Sequence, residues 1–250
     1  MGTAPARATF RFYAELNDHL PPGEQFRAIE CEFFVPASVK AMIEGLGVPH
    51  TEVDLVLVNG VSRGFDWRVQ DGDHISVYPV FEAFDIAGVT RLRPEPLREP
   101  RFVLDIHLGK LAAYLRMAGF DTFYRNCYTD AELAAISSRE QRTLLTRDVG
   151  LLKRSEVTHG YFVRETAPRR QLAEVVKRFD LRRLLHPFTR CMRCNGVLQA
   201  ASKEDVAAGL PERTGRLYEE FARCPECRRV YWKGGHYRRM QEIFEDLGLY

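Results

Sequence analysis

The spacing of apolar residues changes character partway along the chain. In the first part, residues 8–14 and 30–35 carry aromatic and β-branched positions suited to strands. Ser38 is placed to cap a short helix running to Leu46, with Gly47 as its stop. VDLVLVNG then reads as a buried strand closing on an Asn59-Gly60 turn. Asp71-Gly72-Asp73 marks another turn before a strand in HISVYPVF. The order β-β-α-β-β predicts a compact α+β unit over residues 1–82.

The stretch 83–100, with Pro94, Pro96 and Pro100 and little periodicity, reads as a linker. From Arg101 short apolar strands alternate with helical runs. RFVLD, FDTFY, RTLLTRD and GYFVRE are the strands; LGKLAAYLRMAG, TDAELAAISSRE and APRRQLAEVVKRF are the helices. In the first helix Leu108, Leu111, Ala112 and Leu115 share a face, and Gly119 ends it. Such alternation predicts an α/β domain with a parallel, helix-covered sheet over residues 101–185. Residues 186–250 then form a cysteine-bearing module with a C-terminal helix.

No run of about 18 apolar residues is present, so no membrane span is expected. The first residues hold no apolar signal core, which points to a cytoplasmic protein. Charge is unevenly placed. Residues 1–100 hold 9 Lys+Arg against 15 Asp+Glu, whereas 101–250 hold 27 against 19. A basic second part favours a polyanion such as RNA, because neutralised phosphates release counterions.

Four of six cysteines form two CxxC pairs, Cys191 with Cys194 and Cys224 with Cys227. Four thiolates in two knuckles are the ligand set of a closed structural Zn²⁺ site. The gap between the pairs exceeds the roughly 15–20 residues of common spacing, so an excursion such as 202–218 is expected inside a zinc ribbon. After the second pair, RRVYWKGGHYRRM interleaves cations with Tyr231, Trp232 and Tyr237. Trp232 and Arg238 there suit single-stranded RNA, and packing of the ribbon is the competing role for the aromatics.

Asp105 and Asp148 each end an apolar strand, and Asp130 opens the intervening helix. Strand-end acids of a parallel sheet face the rim where ligands bind. Carboxylates gathered there would need a cation, and oxygen donors select Mg²⁺ or Mn²⁺. Thr129 and Glu132 fit a capping box, which makes Glu132 structural.

Taken together, Asp105 with LGKLAAYLRMAGFDT, TDAELAAISSREQRTLLTRD, CMRCN and CPECRRVYWKGGH resemble the PIN-fold ribonuclease domain of the Mut-seven carboxy-terminal family. The resemblance spans about residues 101–245 and implies a PIN-like sheet with a zinc ribbon, cleaving RNA with Mg²⁺ or Mn²⁺. It adds Asp121, in the GFDT segment, to Asp105, Asp130 and Asp148 as catalytic acids. It also makes Lys110, Arg116 and Arg147 candidates for holding phosphate. The first unit, with VNG and DGDHISVYPVFE, resembles the ubiquitin-like β-grasp domain often found before this nuclease. A protein partner docking there is a further expectation. The alternative to an enzyme is a non-catalytic RNA- or ribosome-binding module with structural zinc.

Overall fold

A computed structural model describes residues 4–79, 90–92, 99–207 and 210–249. Most of the expected linker, 83–100, lies outside the described residues. By contact the chain forms two compact units, Met1–Glu99 with Ala134–Phe162 and Pro100–Leu133 with Val163–Tyr250.

In the first unit, β1 (Ala6–Phe12), β2 (Ala28–Phe33), α1 (Val39–Gly45), β3 (Val53–Val58), β4 (Val61–Ser62) and β5 (His74–Pro79) build the expected ubiquitin-like α+β domain. Its five-stranded sheet is ordered β2-β1-β5-β3-β4. β1 pairs antiparallel with β2 and parallel with β5, the mixed pattern of a β-grasp. Alternation in β1 drives Ala8, Phe10 and Phe12 inward, against Ile43 of α1 and Val56, Ile75 and Val77. Burying each phenyl ring contributes about 1.5–3 kcal/mol. Ser38 caps α1 as expected, its Oγ accepting from the Ala41 N–H at 3.2 Å. Asn59 and Gly60 both take positive φ, 51° and 81°, the primed turn that matches strand twist. A 3₁₀ turn at Ala14–His19 follows β1.

The helix-covered sheet follows: β6 (Arg101–Leu104), α2 (Gly109–Met117), β7 (Asp121–Phe123), α3 (Asp130–Glu140), β8 (Thr143–Thr146), α4 (Val149–Leu152), β9 (Gly160–Phe162) and α5 (Pro168–Arg178). The four strands are ordered β7-β6-β8-β9, and the pairs β6–β7 and β8–β9 run parallel. Phe102, Val103 and Leu104 are buried, as are Leu144 and Leu145, so the inner strands β6 and β8 are covered on both faces. Thr129 and Glu132 form the capping box at the start of α3: the Glu132 carboxylate accepts from the Thr129 N–H at 2.8 Å, and Thr129 Oγ1 accepts from the Glu132 N–H at 3.3 Å. Those bonds hold the Glu132 carboxyl below its usual range.

The outer strands of this sheet meet side chains rather than water. In the first unit the β9 Phe162 N–H donates to Glu52 Oε1 at 2.5 Å, while Glu52 Oε2 lies 2.8 Å from His19 Nε2. His50 Nε2 lies 2.9 Å from the Val157 carbonyl, and Lys153 Nζ donates to the Glu44 carbonyl at 2.6 Å. These contacts are why residues 134–162 group with the ubiquitin-like domain and not with the strand they follow.

The last module holds β10 (Gln199–Ala201), α6 (Lys203–Val206), α7 (Glu212–Leu217), β11 (Phe221–Arg223), β12 (Val230–Trp232) and α8 (Gly235–Asp246). Its strands form an antiparallel sheet ordered β10-β11-β12, and α6 and α7 fill the expected excursion between the cysteine pairs. Among the described residues no helix is long and apolar enough to cross a membrane.

Candidate metal centre and the acidic strand ends

Each CxxC pair turns tightly because the first cysteine is bonded through both its carbonyl and its N–H. Asn195 N–H donates to the Cys191 carbonyl and Cys191 N–H to the Gly196 carbonyl, at 2.9 and 2.8 Å. Arg228 N–H and Cys224 N–H repeat the pattern with Cys224 and Arg229. Asn195 and Arg228 take positive φ, 76° and 59°, at matching positions of the two knuckles. The knuckles bring all four Sγ atoms within 4.8 Å of one another. Cys191 lies 3.5 Å from Cys227 and Cys194 3.4 Å from Cys224.

The thiols answer unequally to this crowding. Burial pushes Cys191 up, but the Tyr231 hydroxyl at 3.1 Å and the N–H groups of Cys194 and Arg193 outweigh it and bring it to about 6. Burial and the neighbouring thiols push Cys194 up to about 12. A soft divalent cation matches four sulfur donors at this spacing, so the cluster could hold a metal such as zinc.

The first knuckle is fastened to the corner between α2 and β7. Asn195, 7% exposed, accepts from the Thr122 N–H through Oδ1 at 2.9 Å and donates through Nδ2 to Asp121 Oδ1 at 2.7 Å. Arg116 reaches from α2, donating through Nε to the Thr122 carbonyl and through Nη1 to the carbonyls of Met192 and Arg193, at 2.9, 3.2 and 2.9 Å. Thr122, on the outer strand β7, thus has both backbone polar groups satisfied by side chains. Gly119 permits the close approach: it has φ +100°, and a Cβ there would fall 2.3 Å from the His186 carbonyl oxygen.

This geometry bears on two expectations. Arg116 is 4% exposed, and its Nε and Nη1 donate to three carbonyls, which gives it a part in fastening the knuckle. Replacing it with Met leaves those carbonyls without donors, and a stability loss of about 3 kcal/mol or more is expected in urea unfolding of the metal-loaded protein. A phosphate-binding arginine would instead lose RNA affinity at unchanged stability. Asp121 opens β7 opposite Arg101, the first residue of β6. Asp105 lies four residues further along, about 13 Å at strand rise. Asp121 meets the knuckle through Asn195, with Arg190 Nη2 3.8 Å away.

Asp105 follows β6 and is 7% exposed. Asp130 is the exposed first residue of α3. Asp148 follows β8, and its Oδ1 caps α4 by accepting from the N–H groups of Gly150 and Leu151 at 2.7 and 3.4 Å. Among the described residues the thiols alone form a group of three or more His, Cys, Asp or Glu ligand atoms within that mutual distance. Lys110 is exposed on the first turn of α2. Arg147 is exposed, with its guanidinium carbon 5.9 Å from the Phe162 ring centroid. Arg238 is exposed on α8, and Trp232 is half-buried at the end of β12. Sequence reasoning missed Tyr231 as a donor to Cys191, although its position four residues after Cys227 was a usable signal.

Two family models match the chain. That of the Mut7-C RNAse domain covers residues 100–244, and that of the Mut7-C ubiquitin domain covers 5–85. Neither the curated proteins nor the solved structures give a match.

Proposed function

We propose, on the premise that this chain belongs to the Mut7-C RNAse family, that it hydrolyses RNA phosphodiester bonds at a divalent-cation site built from Asp105, Asp130 and Asp148. The family model over 100–244 is the observation that carries this reading. The donor chemistry supports it: three carboxylates offer only oxygen, the set suited to Mg²⁺ or Mn²⁺. So does position, because Asp105 and Asp148 follow the carboxyl ends of parallel strands, the side where such sheets bind ligands.

A cation held there would supply an activated water and neutralise charge on the phosphate. The chain's own residues fix what it meets. Asp148 is oriented by the two N–H groups at the start of α4, and those bonds use Oδ1 only. Lys110 and Arg147, both exposed, would draw the anionic strand in. The thiol cluster takes no part in the reaction on this reading. Four sulfur ligands around Zn²⁺ leave no open position for water, so the zinc is structural.

The test uses labelled single-stranded RNA and protein freed of hard cations with its tightly held metal retained. Cleavage is expected only after Mg²⁺ or Mn²⁺ is added back. Equal cleavage without either ion would remove the carboxylate site from the mechanism. Retention of RNA with no product at any ion concentration would establish the binding-module alternative.

A further inference from the structure

A cavity of about 390 Å³ lies against β11 and β12, at the foot of α8. Aromatic rings from three segments line it: Phe188, Trp232 and Tyr237. Phe188 and Tyr237 spend their faces on each other, with centroids 4.2 Å apart. Trp232 has no ring partner among the described residues and is half-buried, so it presents an unused aromatic surface to the cavity. The volume is in the range of small-molecule sites and accommodates a flat heterocycle.

The surrounding charge narrows the occupant. Residues 221–239, which supply the β11, β12 and α8 walls, carry six Lys+Arg and a single acid. Lys233, Arg190 and one acid, Glu220, line the cavity themselves, and Arg190 Nη2 lies 3.8 Å from Asp121. Lys233 is exposed and bridges to Glu220 at 2.5 Å, which holds its ammonium at the protein surface. An apolar aromatic slot bordered by cations complements a ligand with a flat neutral ring on an anionic backbone. An apolar peptide side chain would use the slot but gain nothing from the cations.

We infer that this cavity takes one unpaired RNA base, stacked on Trp232, while the cations beside it hold the flanking phosphates. The inference rests on the proposed action on RNA and adds a place where the strand is gripped. That place is distinct from the acids, since none of Asp105, Asp130 and Asp148 lines it. Base–aromatic stacking tolerates any base, so the grip favours single strands without selecting sequence.

The test measures binding by the full, zinc-loaded chain without Mg²⁺ or Mn²⁺. Two ligands are compared: a twelve-nucleotide single-stranded RNA and an abasic ribose-phosphate strand of equal length. Trp232→Leu is expected to weaken the RNA about 5- to 100-fold and leave the abasic strand unchanged. Trp232→Phe should restore part of the loss. Ala200→Leu, which fills the cavity from an exposed position on β10, should give the same selective loss with the indole intact. It decides the matter alone if Trp232→Leu has lost its zinc. RNA binding that ignores Ala200→Leu, or equal loss for both strands, overturns the slot while leaving the action on RNA standing. A wild-type chain that binds neither strand sinks both.

Discussion

Asp105→Asn is expected to lower RNA cleavage at least about 100-fold, while zinc content and the circular dichroism spectrum stay those of wild type. A side chain that only supports a metal ligand is worth about 10–100-fold, so loss of a ligand itself should exceed that. The physical case begins with burial. Asp105 is 7% exposed at the end of an apolar strand, so the substituted side chain sits in a closely packed place. The amide fills the same space, so the substitution removes a charge without opening a cavity. Asp121→Ala should behave in the opposite way. It deletes the acceptor of Asn195 Nδ2, so it should weaken the knuckle and spare the chemistry. Cleavage by Asp105→Asn at the wild-type rate in saturating Mn²⁺ would exclude this acid from the site.

Cys224→Ser carries the largest structural effect. Three thiolates and a hydroxyl no longer match the softness of zinc, and the variant should lose its bound metal during purification. Apparent binding free energies of structural zinc are on the order of 10 kcal/mol, more than the stability of most domains. The loss should therefore reach beyond the ribbon. Without the first knuckle, Asn195 and the carbonyls of Met192 and Arg193 leave Arg116 and Thr122 unsatisfied. Limited proteolysis should cut within 186–249 first and then release the β7 corner. Full metal content in the variant, measured by atomic emission, would show that the cluster is not the binding site.

Much of this was legible because local rules decided it. Ser38, Asn59-Gly60 and the Thr129–Glu132 box each act within a few residues, where side-chain length and backbone geometry leave few options. The two CxxC pairs were equally plain, since their spacing fixes two ligands on one turn. What the sequence concealed was long-range use of polar side chains. The family resemblance put Arg116 with phosphate and Asp121 with the catalytic acids. Their partners lie 74 to 77 residues away, on a knuckle whose own role was already assigned. Asn195 turns the first knuckle with φ 76°. Nothing in its neighbours signals that its amide also bridges to β7. The grouping of residues 134–162 with the ubiquitin-like domain was hidden for the same reason: it depends on Glu44, His50 and Glu52, which look like ordinary surface residues in the sequence.

The Glu52 carboxylate on the Phe162 amide bears on how the molecule may be divided. Severing the chain near residue 100 yields a piece that keeps every residue matched by the ribonuclease model yet leaves that amide bare. An uncovered β-ribbon border recruits the nearest strand of another molecule. The amino-terminal domain therefore covers that border of β9, and its removal is expected to leave the Phe162 amide open to pairing with another strand.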